Sequence, residues 1–377
     1  MQPSHVPPQL SPMTETHPGT RWAVDDDVVQ LREWGSSRVH RLPAPPMLNQ
    51  SEHWGEWLVG ASDDCDVKIH DPLRQVSRRH ARLMRDRLGW SLLDLGSKNG
   101  LRLDGVAQNV AALEPGAEIE IGSVLLIAES RRLISLRQFI ARILGWTPER
   151  IGAVDHALRA IRSARLRRAP LVIRGEGDLV AIALDLHRRM VDEDRPFVLC
   201  GPRRPSVDSN LRGIAATEHG LTALAAARGG TLCIRGQRRP LDFVRVALAL
   251  HAPSCRTQLI ICDESHGDPE FALALPISIP SLLARHEEVP RIVEEYCTDA
   301  ALALGLRNPE AVMGIRQWVT HHATANIPEI EQAAYRLTAL RVATSVEGAA
   351  QRLGVAADVL RSWMSRHGLA DPTAAHG

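Results

Sequence analysis

The sequence predicts a multidomain chain with an N-terminal β-sandwich, a central α/β parallel sheet with a helical lid, and a C-terminal helix-turn-helix. Three observations predict it. The chain has 377 residues, which at about 150 residues per domain makes two or three domains. Its apolar pattern changes once, from short alternating runs to continuous runs separated by helical stretches. Near the end, two short amphipathic stretches flank Gly354.

Residues 1–28 are rich in Pro, Ser and Thr and end in Asp25-Asp26-Asp27 before Val28; they carry a net −3. They are expected to form a disordered acidic tail, because such text buries too little apolar surface to order itself. Over 29–130, strand candidates stand at Trp57–Val59, Val67–Ile69, Ala81–Leu83, Trp90–Leu93, Ile119–Ile121 and Val124–Ile127. Turn signals separate them at Asp63-Asp64, Asp71-Pro72, Asn99-Gly100, Asp104-Gly105 and Pro115-Gly116. Short strands at this spacing make a β-sandwich.

Over 131–168 the period becomes helical, with Leu136, Phe139, Ile140, Ile143 and Leu144 on one face. Ten arginines stand against Glu149 and Asp155, a net of +8. Two readings of this basic helical connector stay open: solvated faces of linker helices, or a surface for nucleic acid or an acidic partner. Residues 169–296 carry apolar runs at Leu171–Ile173, Phe197–Cys200, Thr231–Ile234, Leu259–Cys262 and Ile277–Ile279, with helical text between them. Non-alternating strands separated by helices imply a parallel sheet covered on both faces. Residues 297–340 read as a helical lid. Residues 341–370 read as two helices joined at Gly354, with Ala349, Ala350 and Leu353 before it and Val359, Leu360 and Trp363 after it. The last residues, Asp371 to Gly377, are expected to fray.

Composition narrows the function. The net charge of +1 excludes a chain that coats nucleic acid by bulk charge. Aromatics are 4% of the residues, so the cores must be built from Ala, Leu, Val and Ile. Six cysteines show no C-x-x-C pair and no zinc spacing. No metal or cofactor is expected, and buried thiols in a reducing, cytoplasmic setting are. No apolar run reaches the ~18 residues of a membrane span, so no membrane association is expected. Only two lysines occur, Lys68 and Lys98, so 43 of the 45 basic residues are arginine.

The most specific text is Val59-Gly60, Asp71-Pro72, Ser77-Arg78-Arg79-His80-Ala81, Trp90, Asp94-Leu95-Gly96-Ser97-Lys98-Asn99-Gly100, Asp104-Gly105 and Ile121-Gly122. Its order and spacing resemble the forkhead-associated (FHA) domain over about Trp57 to Glu129. The resemblance implies a sandwich that binds phosphothreonine peptides with loops at one end. A phosphate needs charge-assisted donors on a rigid frame. Ser77 offers a hydroxyl and an N–H, Arg78 a guanidinium and Lys98 an ammonium, while Asn99 resembles the residue that bonds the peptide backbone. Gly60, His80 and Gly100 take structural roles. One residue departs from the family: Ala61 stands where an arginine usually follows the glycine. Arg74, one of two extra residues after Pro72, is a candidate substitute. Two readings follow, a working phosphothreonine site or a sandwich kept for packing and phospho-independent docking.

The central region resembles the AAA+ domain of sigma-54-dependent activators. The resemblance rests on Leu171–Glu176, Gly229–Ile234, the Ile277–Pro290 stretch and Asn326–Ile330. Its chemistry is missing. A phosphate loop needs G-x-x-x-x-G-K-[ST], but Gly175-Glu176-Gly177 runs into Asp178. Arg235 and Gly236 stand where metal-binding acids are expected, and no lysine follows Lys98. The expectation is a pseudo-ATPase, not an enzyme. Glu347 to Leu369 resembles the Fis-type helix-turn-helix of the same activators. Arg361, Ser362, Ser365 and Arg366 are its candidate DNA contacts, and a helical hairpin that only packs is the other reading. Together these resemblances suggest a phosphothreonine-dependent bacterial transcriptional regulator, possible as a homo-oligomer on DNA. The alternative is an FHA adaptor without DNA binding that recruits a Ser/Thr-phosphorylated partner.

Overall fold

The computed structural model describes residues 26–43, 55–86, 89–191, 194–201, 215–252, 254–264 and 276–369. The expected acidic tail therefore lies outside the described residues except at its end, as does the C-terminal stretch from residue 370. Asp26 accepts from the Ser130 hydroxyl at 2.6 Å and Asp27 pairs with Arg85 at 2.7 Å.

Among the described residues, eleven strands form the sandwich. One sheet holds β1 (Val28–Glu33), β2 (Val39–Arg41), β7 (Leu101–Leu103), β8 (Val106–Gln108), β10 (Glu118–Ile121) and β11 (Val124–Ser130), in the order β2-β1-β11-β10-β7-β8. The other holds β3 (Gly55–Gly60), β4 (Val67–Lys68), β5 (Ala81–Asp86), β6 (Gly89–Asp94) and β9 (Val110–Leu113), in the order β4-β3-β5-β6-β9. The period-2 alternation does the packing: Ala81 and Leu83 of β5 and Ile119 and Ile121 of β10 point inward. With Leu31, Val59, Leu92 and Leu126 they fill the space between the sheets. Every strand candidate of the sequence is found. β1, β2 and β7 to β9 were not among them, because β8 is exposed throughout and β1 buries Arg32 and Glu33, which break the apolar alternation.

The polypeptide passes from β11 directly into α1 (Arg131–Leu144), capped by Ser130, whose side chain accepts from Leu133 N–H. α2 (Ile151–Arg167) follows. Both helices contribute to a large core shared with the central sheet and the C-terminal helices, so they are packed elements. Their basic charge is largely engaged within the molecule. Arg137 meets Glu129, Arg142 meets Glu295 and Asp299, Arg159 meets Glu118 and Arg162 meets Asp104. Arg132, Arg165 and Arg168 bond backbone carbonyls.

The central sheet holds β12 (Leu171–Arg174), β13 (Phe197–Cys200), β14 (Ala215–Thr217), β15 (Thr231–Arg235), β16 (Gln258–Asp263) and β17 (Ile277–Ser278). The order is β14-β13-β15-β16-β12-β17, and every pair is parallel. α3 (Leu179–Met190) covers one face, while α4 (Gly220–Ala226) and α5 (Phe243–Leu250) cover the other. After β17 come α6 (Val289–Leu304), α7 (Pro309–His322) and α8 (Ile327–Val342), then the short pair α9 (Val346–Leu353) and α10 (Ala357–Arg366). Gly354 joins the last two in the left-handed region, φ 67°. That is the C-cap conformation glycine adopts without strain. No described helix is long and apolar enough to cross a membrane.

Candidate functional site

Two loops at one end of the sandwich carry the predicted binding residues, and a set of local bonds fixes both. Asp71 organises the first. Its carboxylate accepts from Leu73 N–H at 3.0 Å, Val76 N–H at 2.7 Å, Gln75 N–H and the Ser123 hydroxyl. Burial opposes its charge. The bonds from Ser123, Val76, Gln75 and Leu73 outweigh burial and hold the carboxyl below its ordinary range. Arg74 sits on this loop at φ 51° with its residue exposed. The second loop hangs from Asp94, which accepts from Gly96 and Ser97 N–H. The Ser97 hydroxyl accepts from Gly100 N–H at 2.9 Å.

His80 ties the two together. It is fully buried, accepts from Ser77 N–H through Nδ1 at 3.0 Å and meets the Gly100 carbonyl through Nε2 at 3.0 Å. With Nδ1 accepting, the ring proton lies on Nε2 and donates to that carbonyl. Asn99 adds a second tie, its Nδ2 donating to Gln75 O at 2.7 Å. A third is the Ser77 hydroxyl, which accepts from Lys98 N–H at 3.1 Å. The Ser77 oxygen is thereby oriented while its own proton remains a donor. Ser77, Lys98 and Asn99 are thus within one hydrogen-bonded cluster, and Arg78 is exposed beside Ser77. Gly60 lies beneath: a Cβ there would stand 2.2 Å from the Arg78 carbonyl oxygen, so this position takes only glycine. Gly100 holds φ 71° in its turn.

Arg79 is otherwise engaged. It pairs with Asp64 at 2.6 Å, and the bonds from Ser62 and Arg79 hold the Asp64 carboxyl down to about 2. Ala61 packs half-buried against the sandwich core, and its N–H donates to the Ser77 carbonyl. The roles of Asp71 and Asp94 were not assigned from sequence. Their signals are there in Asp71-Pro72 and in Asp94 two residues before Gly96, since Asp side chains bond the backbone a few residues ahead.

At the C-terminal end of the central sheet, β12 runs into Gly175-Glu176-Gly177-Asp178. Its neighbours β16 and β17 come from later in the chain, so this is the kind of crevice where open α/β sheets hold ligands. Asp178 caps α3, accepting from Val180 N–H at 3.2 Å, and pairs with Arg235 at 2.9 Å. Arg174 pairs with buried Asp263 at 2.9 Å. A Cβ on Gly177 would meet the Asn326 side chain at 2.5 Å. The helix N-terminus therefore already faces an intramolecular anion, where a nucleotide site would present free N–H groups to phosphate.

In the terminal helix pair, Val359, Leu360, Trp363 and Met364 of α10 are buried. Trp363 lies 5.9 Å from Trp318 of α7 and beneath Arg336 of α8. Arg361, Ser362, Ser365 and Arg366 are on the exposed face. Arg361 pairs with Glu347 of α9.

The fold and loops define a multidomain protein with an N-terminal β-sandwich, followed by a parallel sheet with helices and a helical C-terminal region. Residues 51–131 match the family model described as the inner membrane component of T3SS, cytoplasmic domain (Yop-YscD). Among solved structures, the FHA-1 domain of Rv1747 from Mycobacterium tuberculosis is 26% identical, covering 28% of this chain and 97% of that one, with a TM-score of 0.21. The N-terminal FHA domain of Rad53p from S. cerevisiae, in complex with a phosphothreonine peptide, is 20% identical over 28% of this chain and 96% of that one, with a TM-score of 0.25. No curated protein matches the chain.

Proposed function

We propose that this protein is a phosphothreonine-reading adaptor, whose sandwich loops recruit a phosphorylated protein to the rest of the chain. The Ser77 hydroxyl carries the reading. Held by Lys98 N–H, it has one proton to give, and Arg78, Lys98 and Asn99 stand around it on two loops locked by His80. A phosphate dianion would take charge-assisted bonds from Arg78 and Lys98 and a neutral one from Ser77. Arg74, exposed on the first loop, is the candidate substitute for the arginine absent at Ala61. The test is titration of a phosphothreonine peptide library against the wild type and Ser77→Ala. Equal binding of phosphorylated and plain peptides would refute the reading.

The central sheet is read as a pseudo-ATPase, related in outline to the AAA+ domains of sigma-54-dependent activators. Asp178 and Arg235 satisfy one another where phosphate and metal would need a lysine and acids. Its role here is a packed platform. The adaptor reading needs only the sandwich, which the matched family model covers over residues 51–131, whereas in the regulator reading Arg361 would exchange its exposed pair with Glu347 for a DNA contact. Salt-sensitive duplex binding that disappears on Arg361→Ala with Arg366→Ala would restore the regulator reading.

A further inference from the structure

The two faces of the central sheet are covered unequally. On one face α3 is itself packed by α1 and α8 in the large core. On the other, α4 and α5 close a smaller core. α5 reads Phe243-Val244-Arg245-Val246-Ala247-Leu248-Ala249-Leu250, apolar on every side except at Arg245. A helix apolar all round is one that packs all round. Here only one side is packed. Val246 and Leu250 are buried in the smaller core. Val244 is 71% exposed, Leu248 is 70% exposed, and Leu241, just before the helix, is fully exposed. Their spacing of i, i+3 and i+7 sets the three side by side along about 10 Å of surface. Single exposed apolar residues are ordinary, but a contiguous stripe marks a contact surface.

Charge says what covers it. Residues 235–251 hold four arginines against one acid, Asp242. That acid is engaged within the domain, accepting from Gly220 N–H at 2.9 Å and Leu221 N–H at 3.0 Å. Two of the arginines are engaged as well, Arg235 by Asp178 and Arg239 by the Gly236 carbonyl. Arg238 and Arg245 are exposed and form no ion pair or hydrogen bond among the described residues. A second copy docked through this face would set a basic rim against its own image, and like charges oppose that pairing. An acidic rim complements it. We propose that α5 docks an acidic amphipathic helix of a partner protein. Apolar residues of that helix at i, i+3 and i+7 pack on Leu241, Val244 and Leu248, and its flanking Asp or Glu side chains meet Arg238 and Arg245. The proposal rests on the α5 face and not on the phosphothreonine reading.

The probe is a displayed library of helical peptides of about 16 residues, apolar at i, i+3 and i+7 and flanked by Asp or Glu, long enough to overlap the stripe at both ends. Peptides selected on the full chain are titrated by fluorescence anisotropy beside versions flanked by Lys. The acidic peptides are expected to bind saturably and to weaken with added salt, while the Lys versions do not bind. Val244→Ser with Leu248→Ser changes exposed positions only, so the melting temperature is expected to hold while affinity falls at least about 10-fold. Arg245→Glu is expected to weaken the acidic peptides about 5-fold and to strengthen the Lys versions. Ser77→Ala is expected to leave this binding unchanged, so the two surfaces fail separately. A library that yields no binder, or binders that keep full affinity for the double serine variant, would overturn the inference. So would a dimer in sedimentation that the double variant dissociates, or binding to phosphatidylcholine–phosphatidylserine vesicles that it abolishes.

Discussion

At the scale of single residues, the two loops proposed to take a phosphopeptide depend on groups that brace them from behind. His80→Ala would leave Ser77 N–H and the Gly100 carbonyl, both half-buried, without their partner. The expected cost is about 2–3 kcal/mol in denaturant unfolding, with loss of peptide binding. Unchanged stability would show that the two loops hold without the imidazole. Acid separates loop from ligand. Asp71 has its carboxyl depressed in the folded state, so its contribution is complete above the unfolded value of about 3.9 and fades only as pH falls through the lower folded one. A phosphothreonine takes up a proton near pH 6. Peptide affinity is therefore expected to fall between pH 7 and 5 while the circular-dichroism melt stays constant. Parallel losses of both would place the proton on the protein instead. His80 and Gly60 were legible in the sequence only through the resemblance; their physical reasons, a buried brace and a position without room for a Cβ, come from the structure. The full role of Asp71 was not, since Ser123, one of its partners, lies 52 positions away.

At the scale of elements, the strands and helices were legible wherever one period held for a full face. α3 was legible as helical text over Leu179–Met190, while residues 297–340 were legible only as helical, without the number or ends of α6 to α8. What the pattern does not encode is how helix ends are satisfied. The Ile277–Pro290 stretch was read as a family signature, and the structure shows what its arginine does. Arg285 is 6% exposed and donates to the carbonyls of Arg142 and Ile143, the last turn of α1, while bonding Glu288. Glu288 in turn accepts from Trp146 N–H. The C-terminus of α1 is thus capped by side chains from the segment before α6. Arg285→Ala is expected to cost about 2–4 kcal/mol by thermal or chemical denaturation, because Glu288 and two carbonyls lose their donor together. At the start of α3, Asp178→Ala is expected to cost about 1 kcal/mol as a lost cap. It should create no ATP binding, since Arg235 supplies charge but no loop of N–H groups forms. Mg²⁺-dependent phosphate release by the wild type would contradict the pseudo-ATPase reading.

At the scale of the whole molecule, the local charge of +8 over the two helices after the sandwich says nothing of where its partners lie. Most of those partners are on other elements, and among the described residues a cluster of the most buried ion pairs reaches from the sandwich to α1 and α2. Arg32 of β1 is 2% exposed and pairs with Glu129 of β11 at 2.8 Å and with Asp155 of α2. Asp155 also accepts from Gly35 N–H at 2.7 Å, and Arg137 of α1 reaches Glu129. These charges are out of water, so each depends on its partner, and removing one leaves the other uncompensated. Around them lie exposed pairs such as Arg159 with Glu118, which water screens. The sandwich is therefore fastened to the sheet domain through α1 and α2. The wild type is expected to unfold in one calorimetric transition. Asp155→Ala, which leaves the Arg32 guanidinium buried against Glu129 alone, is expected to cost about 3–5 kcal/mol and to split the transition in two, with peptide binding kept by the sandwich. Arg159→Ala is expected to change stability by less than about 1 kcal/mol and leave a single transition. If Asp155→Ala melted like Arg159→Ala, the buried pair would not be what makes the two parts one cooperative unit.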